Sequence, residues 1–300
     1  MKLSMVRFPD REVPSVWDGD GWFALDEAIT RYGATTGETV GPVRDINDAL
    51  AQGWFDPTRL KVLLDKLRNC GQLDALRLPP PVQFGLPIRP GKIVAVGRNY
   101  AAHARELGNE IPEEPIIFNK SPTACIADGE PIIVREGYGR VDYEGELALV
   151  IGRRLKDARI EDAASAVAGY TLLNDVTARD MQTAYKAKGK PWFLPKNLDT
   201  FCPIGPVIAL PDEMPNPLHV DLTLTVNGEV RQHGNTAQFL FGVPELLAYI
   251  TSFMTLEPGD LIATGTPEGV GPIRPGDRIE LTVPPIGTLH SPVERGELGD

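Results

Sequence analysis

Short apolar runs separated by turn residues make up most of the chain after residue 90. These runs have the length and the β-branched content that are typical of strands. Asn227-Gly228 favours a type I′ hairpin, and the Pro-Gly-Asp segments that begin at Pro258 and Pro275 each precede an apolar run. The pattern predicts a turn-rich β region with strands at residues 92–96, 143–151, 169–173, 206–210, 221–226 and 278–283.

Helical spacing of apolar residues is found in only a few segments. Asp56-Pro57 can cap and begin a helix, and the four leucines at 60, 63, 64 and 67 that follow would form its buried face. Two more helices are predicted at residues 160–168 and 243–254. The large region after residue 90 is therefore β-rich with few helices.

The first 85 residues differ from the rest in their pattern. Val16–Leu25 has two apolar arms around an Asp-Gly-Asp-Gly turn, which predicts a hairpin, and the predicted helix after Pro57 follows it. Leu78-Pro-Pro-Pro81 then supplies a stiff, extended linker. We predict a small N-terminal α+β domain at residues 1–85 and a larger domain at residues 86–300.

Composition and charge exclude several classes of protein. The chain has 300 residues, 42% of them hydrophobic and 24% charged, and a net charge of −11 without a basic run, so nucleic acid is not an expected partner. No apolar stretch is long enough for a membrane span or a signal peptide, which predicts a cytoplasmic protein. The three cysteines lack zinc-site spacing and are expected to be buried thiols.

Glu144 and Glu146 stand two residues apart in a strongly apolar run. Alternate side chains of a strand share a face, so both carboxylates would lie beside Ala148 and Val150. Their repulsion and desolvation require a compensating positive charge, such as arginine or a divalent cation. The alternative is a solvated edge strand whose acidic residues face water.

Asp175 directly follows the predicted strand at 169–173 and its neighbour Asn174. A carboxylate at the end of a buried strand can join the glutamate pair, and three oxygen donors are typical of Mg²⁺ or Mn²⁺. The alternative is that Asp175 caps the following turn.

Three more residues are candidates for acid, base or charge stabilisation. His103 and Glu106 are three apart on a predicted short helix, where the carboxylate would orient the imidazole as a general base. Lys196, in an apolar and proline-bound segment, can stabilise an oxyanion. The alternatives are a surface ion pair and a surface lysine.

A glycine-rich loop, Gly265–Gly271, follows the apolar run 260–264. It lacks the lysine and the Ser/Thr of a nucleotide-binding P-loop. Its backbone amides and the Thr266 hydroxyl are instead suited to a small carboxylate.

Taken together and in order, these segments resemble the fumarylacetoacetate hydrolase family from about Lys92 to the end. Gly145 is a small departure, where the family commonly has a larger apolar residue, and we expect it to affect packing. The resemblance is carried by the segments Val96–Tyr100 with His103 and Glu106, Phe118–Lys120, Asp142–Leu147, Asn174–Asp180 with Gln182, Val226–Gln232, Leu256–Asp260 and Thr264–Gly271.

The resemblance implies a mixed β-roll domain, usually a homodimer, that binds one Mg²⁺ or Mn²⁺ per subunit. It implies Glu144, Glu146 and Asp175 as metal ligands. It places His103 and Glu106 on a short lid and Lys196 in the active site. The substrate-binding residues that it implies are Arg98, Tyr100, Lys120, Arg179, Gln182 and Thr266.

The function that follows is a metal-dependent hydrolase of acylpyruvates. Such an enzyme cleaves a C–C bond of a 2,4-dioxo acid to pyruvate and a carboxylic acid, through a pyruvate enolate that the cation and Lys196 stabilise. One alternative is an oxaloacetate decarboxylase, or an isomerase or lyase of a related 2-oxo dicarboxylate. A second is a metal-binding homologue without catalysis. The expected partner is a small 2-oxo acid.

Overall fold

Nearly all of the apolar runs predicted as strands are paired with neighbours in the structure. A computed structural model describes residues 1–106, 108–216 and 218–297. In chain order its strands are β1 Lys2–Arg7, β2 Glu12–Trp17, β3 Trp22–Ala24, β4 Gln83–Phe84, β5 Ile93–Gly97, β6 Ile116–Lys120, β7 Cys125–Ile126, β8 Ile132–Arg135, β9 Val141–Tyr143, β10 Gly145–Ile151, β11 Val167–Asn174, β12 Thr177–Ala178, β13 Cys202–Ala209, β14 Asp221–Val226, β15 Glu229–Asn235, β16 Leu261–Ala263, β17 Gly271–Ile273, β18 Arg278–Val283 and β19 Gly287–Gly296.

The strands form three mixed sheets. The large sheet has the order β3-β2-β1-β13-β11-β10-β16-β5-β6, with β4 beside β1 and β7 beside β13. A small sheet has the order β12-β9-β17, and a third sheet has the order β15-β14-β18-β19-β8. The strand-rich α+β fold is as predicted.

α-Helices and short 3₁₀ turns connect the strands. Asp56 caps the helix that begins at Pro57 by accepting from the Thr58 N–H, as predicted, and the four leucines of that helix are buried. Short 3₁₀ turns occur at Asp74–Leu76, Pro122–Ala124, Ala164–Ala166, Pro211–Glu213 and Thr236–Gln238. The α-helices are α1 Leu25–Thr36, α2 Ile46–Ala51, α3 Pro57–Asn69, α4 Ala101–Glu106, α5 Ile160–Ala163, α6 Arg179–Ala187, α7 Phe193–Lys196 and α8 Val243–Phe253.

Two predicted elements differ in the structure. The helix expected at 160–168 ends in a 3₁₀ turn at Ala166, because Val167 begins β11 and enters the sheet. The strand expected at 143–151 is interrupted at Glu144, because β9 belongs to the small sheet and β10 to the large one. Both hairpin predictions are confirmed, since β2 pairs with β3 and β14 pairs with β15.

The N-terminal region shares both a sheet and a core with the rest of the chain. β1 pairs with β13, with Lys2 opposite Ala209 and Leu3 opposite Ile208. Leucines of α1 and α3 belong to the same apolar cluster as residues of β10 and β13. The division of the chain at residue 85 stays a prediction.

The expectation that all three cysteines are buried was wrong. Cys202 is buried, Cys125 is partly buried and Cys70 is exposed, because Cys70 stands at the surface end of α3. Among the described residues, no helix is both long and apolar enough to cross a membrane.

Candidate active site

Three neighbouring strands of the large sheet connect to strands of the small sheet, and the candidate site lies where they do so. The order β11-β10-β16 in the large sheet corresponds to β12-β9-β17 in the small one. The strands are interrupted at Glu144, around Asp175 and over residues 264–270. The Asp175 N–H donates to the Glu144 carbonyl oxygen over 2.8 Å. Polar segments from three connections therefore meet at one junction between the sheets.

Glu144, Glu146 and Asp175 are buried together at this junction. Their relative exposures are 5%, 1% and 0%, so the solvated edge strand is excluded. One carboxylate oxygen of each residue lies within 4.8 Å of the other two. The segment after Asp175 is the strand β12, so Asp175 caps no helical turn there. The structure thus brings the three predicted ligands to one point.

Lys196, at the end of α7, bridges two of these carboxylates. Its Nζ donates to Glu144 Oε2 over 2.7 Å and to Asp175 Oδ2 over 2.5 Å. The side chain is 2% exposed, so the surface-lysine alternative is wrong. Burial lowers the pKa of Lys196, but the charges of Asp175 and Glu144 outweigh it and the pKa is raised. Lys196 is therefore an ammonium at neutral pH.

Arg179, the first residue of α6, compensates Glu144 from the other side. Its Nη2 donates to Glu144 Oε1, its Nε donates to Asp142 Oδ2 over 2.8 Å, and its Nη1 donates to Gln182 Oε1 over 2.6 Å. Burial raises the pKa of Glu144, but Lys196 and Arg179 outweigh it and hold that pKa well below its usual range. Glu144 is therefore ionised.

Lys120 supports Asp175 from behind. Its Nζ is 2.7 Å from Asp175 Oδ1 and donates to the Lys196 carbonyl oxygen over 2.5 Å. The side chain is fully buried and does not line the cavity described below. Lys120 thus ties β6 to α7 and Asp175, and its predicted contact with substrate stays a prediction.

The donor set fits a hard divalent cation. Among the described residues no salt bridge reaches Glu146, whose Oε2 accepts from the Gly265 N–H over 2.8 Å. Burial and the Asp175 charge raise the pKa of Glu146 well above its ordinary value. Asp175 Oδ1 is buried and accepts no well-aligned hydrogen bond, although Lys120 is close. Carboxylate oxygens in need of positive charge are the ligands that Mg²⁺ and Mn²⁺ prefer.

His103 and Glu106 lie on the short helix α4, as predicted. His103 is 4% exposed, which excludes the surface-pair alternative for the imidazole. Burial lowers the pKa of His103, and the nearby charges of Glu144 and Glu106 oppose this only in part. The distance from His103 Nδ1 to Glu106 Oε2 is 3.6 Å, too long for a hydrogen bond, and Nδ1 has no hydrogen-bond partner among the described residues. The imidazole is neutral and able to accept a proton.

The glycine-rich loop binds carboxylates, but they belong to the protein itself. The Gly265 N–H donates to Glu146, and the Gly269 N–H donates to both oxygens of Glu106 over 3.1 Å. Glu106 therefore fastens α4 to this loop. The Thr266 hydroxyl donates to the Gly145 carbonyl oxygen over 2.8 Å, so it also supports the backbone between the two glutamates.

Gln232 of β15 completes the support of this backbone. Its Oε1 accepts from the Gly145 N–H over 3.0 Å, and its Nε2 donates to Thr266 Oγ1 over 2.8 Å and to the Pro267 carbonyl oxygen over 2.9 Å. Gln232 is 1% exposed. Gln232 ends the sequence motif Val226–Gln232, and the sequence alone predicts no role for it.

A cavity of about 260 Å³ opens above the three carboxylates. Tyr100 and Glu106 do not line it; Tyr100 packs edge-on against Phe239, with ring centroids 5.2 Å apart. The predicted residues that line the cavity are Arg98, His103, Glu144, Glu146, Asp175, Arg179, Gln182, Lys196 and Thr266.

Several lining residues were missed from the sequence. Thr183 and Lys186 follow Arg179 at helical spacing on α6, so the period of that helix could have identified them. Phe118 and Trp192 form an apolar wall with ring centroids 5.7 Å apart. Phe118 begins the motif Phe118–Lys120 and Trp192 stands four residues before Lys196, but nothing local shows that they meet.

A family model for the fumarylacetoacetate (FAA) hydrolase C-terminal domain matches residues 92–294, two thirds of the chain. This chain belongs to the fumarylacetoacetate hydrolase family. The match covers every residue of the site described above. The family predicted from the sequence motifs is thus confirmed.

Named relatives within the fumarylacetoacetate hydrolase family are enzymes. The mitochondrial oxaloacetate decarboxylase of Dictyostelium discoideum is 48% identical over 198 residues, which are 66% of this chain and 90% of that protein. The oxaloacetate tautomerase of Bacillus subtilis is 43% identical over 224 residues, 71% of this chain and 73% of that protein. The solved structure of 5-carboxymethyl-2-hydroxymuconate delta-isomerase from Mycobacterium smegmatis is 36% identical, with a TM-score of 0.73 over 99% of this chain and 100% of that one.

Proposed function

We propose that this protein is a divalent-metal-dependent enzyme that converts a 2-oxo acid through its enolate, and that oxaloacetate is a substrate. The observation that carries the proposal is the buried set of Glu144, Glu146 and Asp175 with the Lys196 ammonium between two of them. The relatives named for oxaloacetate support the choice of substrate. The acylpyruvate hydrolysis favoured by the sequence becomes the second candidate.

Glu144, Glu146 and Asp175 would hold one Mg²⁺ or Mn²⁺ per chain. A bound cation of this kind polarises the oxygens of a 2-oxo acid and lowers the energy of the enolate. The three carboxylates would supply three oxygen donors, and substrate or water would supply the others that such a cation takes. Lys196 shares the charge compensation of Glu144 with Arg179 and that of Asp175 with Lys120.

Lys196 stabilises the charge that develops during reaction. Loss of CO₂ from oxaloacetate leaves an electron pair on C3, which is delocalised onto the C2 oxygen as an enolate. The Lys196 ammonium stays charged because Asp175 and Glu144 raise its pKa. It can therefore stabilise the enolate oxygen electrostatically before a proton is delivered to C3 to give pyruvate.

Arg98 supports a substrate with a second carboxylate. Its side chain lines the cavity, and its guanidinium carbon lies 5.9 Å from the centroid of the Trp192 ring. Burial lowers the pKa of Arg98, and no carboxylate is paired with it among the described residues. An unpaired guanidinium in a cavity is suited to a carboxylate of the ligand, and oxaloacetate has two.

The test is turnover of oxaloacetate by purified protein with Mg²⁺ or Mn²⁺. The rate of pyruvate formation measures decarboxylation, and the rate of change in enol absorbance measures tautomerisation. We expect at least one of these rates to be metal-dependent and lost in Glu146→Gln, and to be unchanged in Glu229→Gln, an exposed control. Metal binding without either reaction, and without turnover of acylpyruvates, would favour the non-catalytic alternative.

A specific observation favours acylpyruvate hydrolysis as the second candidate. His103 is buried, lines the cavity and has an unpartnered Nδ1, as a base that activates water would require. Water would add to the distal carbonyl of the acylpyruvate, the bond between C3 and C4 would break, and protonation of C3 would give pyruvate beside a carboxylic acid. Release of acetate from acetylpyruvate, lost in His103→Ala, would identify this reaction.

We also propose that the protein is a cytoplasmic homodimer with a small N-terminal domain at residues 1–85. These statements rest on the sequence pattern and the family resemblance. Sedimentation equilibrium measures the number of chains directly, and a monomer would contradict the proposed dimer.

A further inference from the structure

Two cysteines lie directly opposite each other on neighbouring strands. β7 and β13 are parallel, and Cys125 is the register partner of Cys202. Both side chains pack into the same apolar cluster, so both point to the same face of the sheet. Adjacent strands are about 4.8 Å apart, which falls within the Cα separation of disulfides. The backbone therefore allows these two residues to be joined.

The two thiols differ in their access to solvent. Cys125 is partly exposed, whereas Cys202 is fully buried. Burial raises the pKa of the Cys202 thiol, and its hydrogen-bonding neighbour is the Cys125 thiol. An oxidant from solvent would reach Cys125 first, with Cys202 in place as the second sulfur.

We propose that Cys125 and Cys202 are a redox-active dithiol that a hydroperoxide converts to a disulfide. In the first step the Cys125 sulfur attacks the peroxide O–O bond, giving a sulfenic acid and releasing water or an alcohol. In the second step the Cys202 sulfur attacks the sulfenic sulfur, the S–S bond forms and water leaves. The two thiols lose two electrons, which the peroxide gains, and a dithiol reductant reverses the change.

The pair is linked to the candidate active site through Lys120. Only the 3₁₀ turn Pro122–Ala124 separates Cys125 from Lys120 and Ser121, so residues 120–125 form one short segment. Lys120 Nζ is 2.7 Å from Asp175 Oδ1, and the charges of both groups act on Cys202. Bond formation draws the two sulfurs together to about 2.05 Å, which would move this segment against β13 and shift Lys120 relative to Asp175.

The first experiment measures the disulfide itself. The protein used is full-length Cys70→Ser, which lacks the exposed third thiol. It is treated with hydrogen peroxide and alkylated with iodoacetamide in denaturant, and its intact mass is measured by mass spectrometry. We expect both remaining cysteines to resist alkylation, a peptide pair linked through Cys125 and Cys202, and recovery of both thiols with dithiothreitol. The proposal is overturned if both cysteines stay alkylatable at a peroxide dose that oxidises Cys70 of the unmodified chain.

The second experiment measures the link to the site, and this part rests on the proposed metal centre. We expect Mn²⁺ to bind the oxidised Cys70→Ser protein about tenfold more weakly than the reduced one, as for loss of a group that supports a metal ligand. Cys70→Ser/Cys125→Ser should keep its affinity after peroxide. Equal affinities before and after disulfide formation would overturn the link. If the reduced protein binds no Mn²⁺, the metal centre is wrong, and the mass measurement alone decides on the disulfide.

Discussion

At the scale of single residues, the site consists of buried carboxylates and the positive charges that compensate them. Glu144 is compensated by Lys196 and Arg179, and Asp175 by Lys196 and Lys120. Among the described residues, Glu146 accepts a hydrogen bond from the Gly265 N–H and has no salt bridge. A buried carboxylate without a cation is costly, so Glu146 marks where positive charge is needed most. A bound divalent cation would supply it.

Glu146→Gln should separate metal binding from folding. The amide keeps an oxygen that can accept from the Gly265 N–H but removes the uncompensated charge, so we expect the metal-free variant to unfold at the same temperature as the parent or higher. Its Mn²⁺ affinity should fall at least about tenfold. Calorimetry of both proteins checks this. A variant that is destabilised without metal and binds Mn²⁺ normally would contradict this role for Glu146.

His103→Ala should affect catalysis without affecting metal affinity. His103 lines the cavity but is not one of the three carboxylate residues, so we expect the variant to bind Mn²⁺ within about twofold of the parent. For a reaction that uses this base, we expect a rate about 10²–10⁴-fold lower. A large loss of Mn²⁺ binding would mean that the imidazole supports the metal centre instead. Titration calorimetry and steady-state rates on the same preparation decide this.

The pH dependence of the rate gives a second view of His103. Burial lowers its pKa, so the neutral base form persists to lower pH than for an ordinary histidine. The acidic limb of kcat/KM should therefore lie below about 6.5 and be absent from the residual rate of His103→Ala. An acidic limb above that value would contradict a buried, neutral base.

The sequence predicted the ligand set because alternation along a strand is a local property. Glu144 and Glu146 two residues apart, and Asp175 after a strand, were enough to propose the cluster. It could not place Lys120 or Tyr100, because the direction of their side chains depends on partners far along the chain, Asp175 and Phe239.

At the scale of elements, the junction between two sheets determines the site. β10, β11 and β16 each connect to a strand of the small sheet, and the ligands lie at these interruptions. The sequence predicted a continuous strand through Glu144 because its apolar pattern is unbroken. A change of sheet depends on pairing with β12 and β17, which no local pattern records.

Gly145 tests how tightly β10 is packed at this junction. A Cβ atom there would lie 2.7 Å from Leu281 Cδ1 and 3.0 Å from Leu224 Cδ1. We expect Gly145→Val to lower the free energy of unfolding by about 1–3 kcal/mol, measured by urea denaturation. The double variant with Leu281→Val should be less destabilised than the sum of the two single variants, because the two changes share one space. Strict additivity would contradict this packing.

At the scale of the whole molecule, the N-terminal region covers part of the large sheet. Its strand β1 lies against β13, and its helices pack on the apolar cluster that includes Leu173 and Ile204. The Dictyostelium discoideum relative aligns over 90% of its own length with only 66% of this chain, so it has little room for a similar region. The cavity of the site is lined wholly by residues within 96–266. The sequence predicted two regions but not their shared sheet, because the pairing of Leu3 with Ile208 spans the chain.

Removal of residues 1–85 should therefore affect stability more than chemistry. We expect residues 86–300 alone to unfold at a lower temperature than the full chain and to aggregate more readily, because the β13 edge and an apolar face become exposed. Differential scanning calorimetry and light scattering of both chains measure this. Equal unfolding temperatures and equal solubility would show that residues 1–85 are an independent domain with no role in the core.

The most direct test of the central claim is the position of a bound cation. Crystals grown with Mn²⁺ and oxalate, an analogue of the pyruvate enolate, would give an anomalous difference map. The account predicts one peak per chain, coordinated by an oxygen from each of Glu144, Glu146 and Asp175 and by two oxalate oxygens, with the Lys196 ammonium near the oxalate. A peak that lacks any of the three carboxylates, or no peak at this junction, would contradict it.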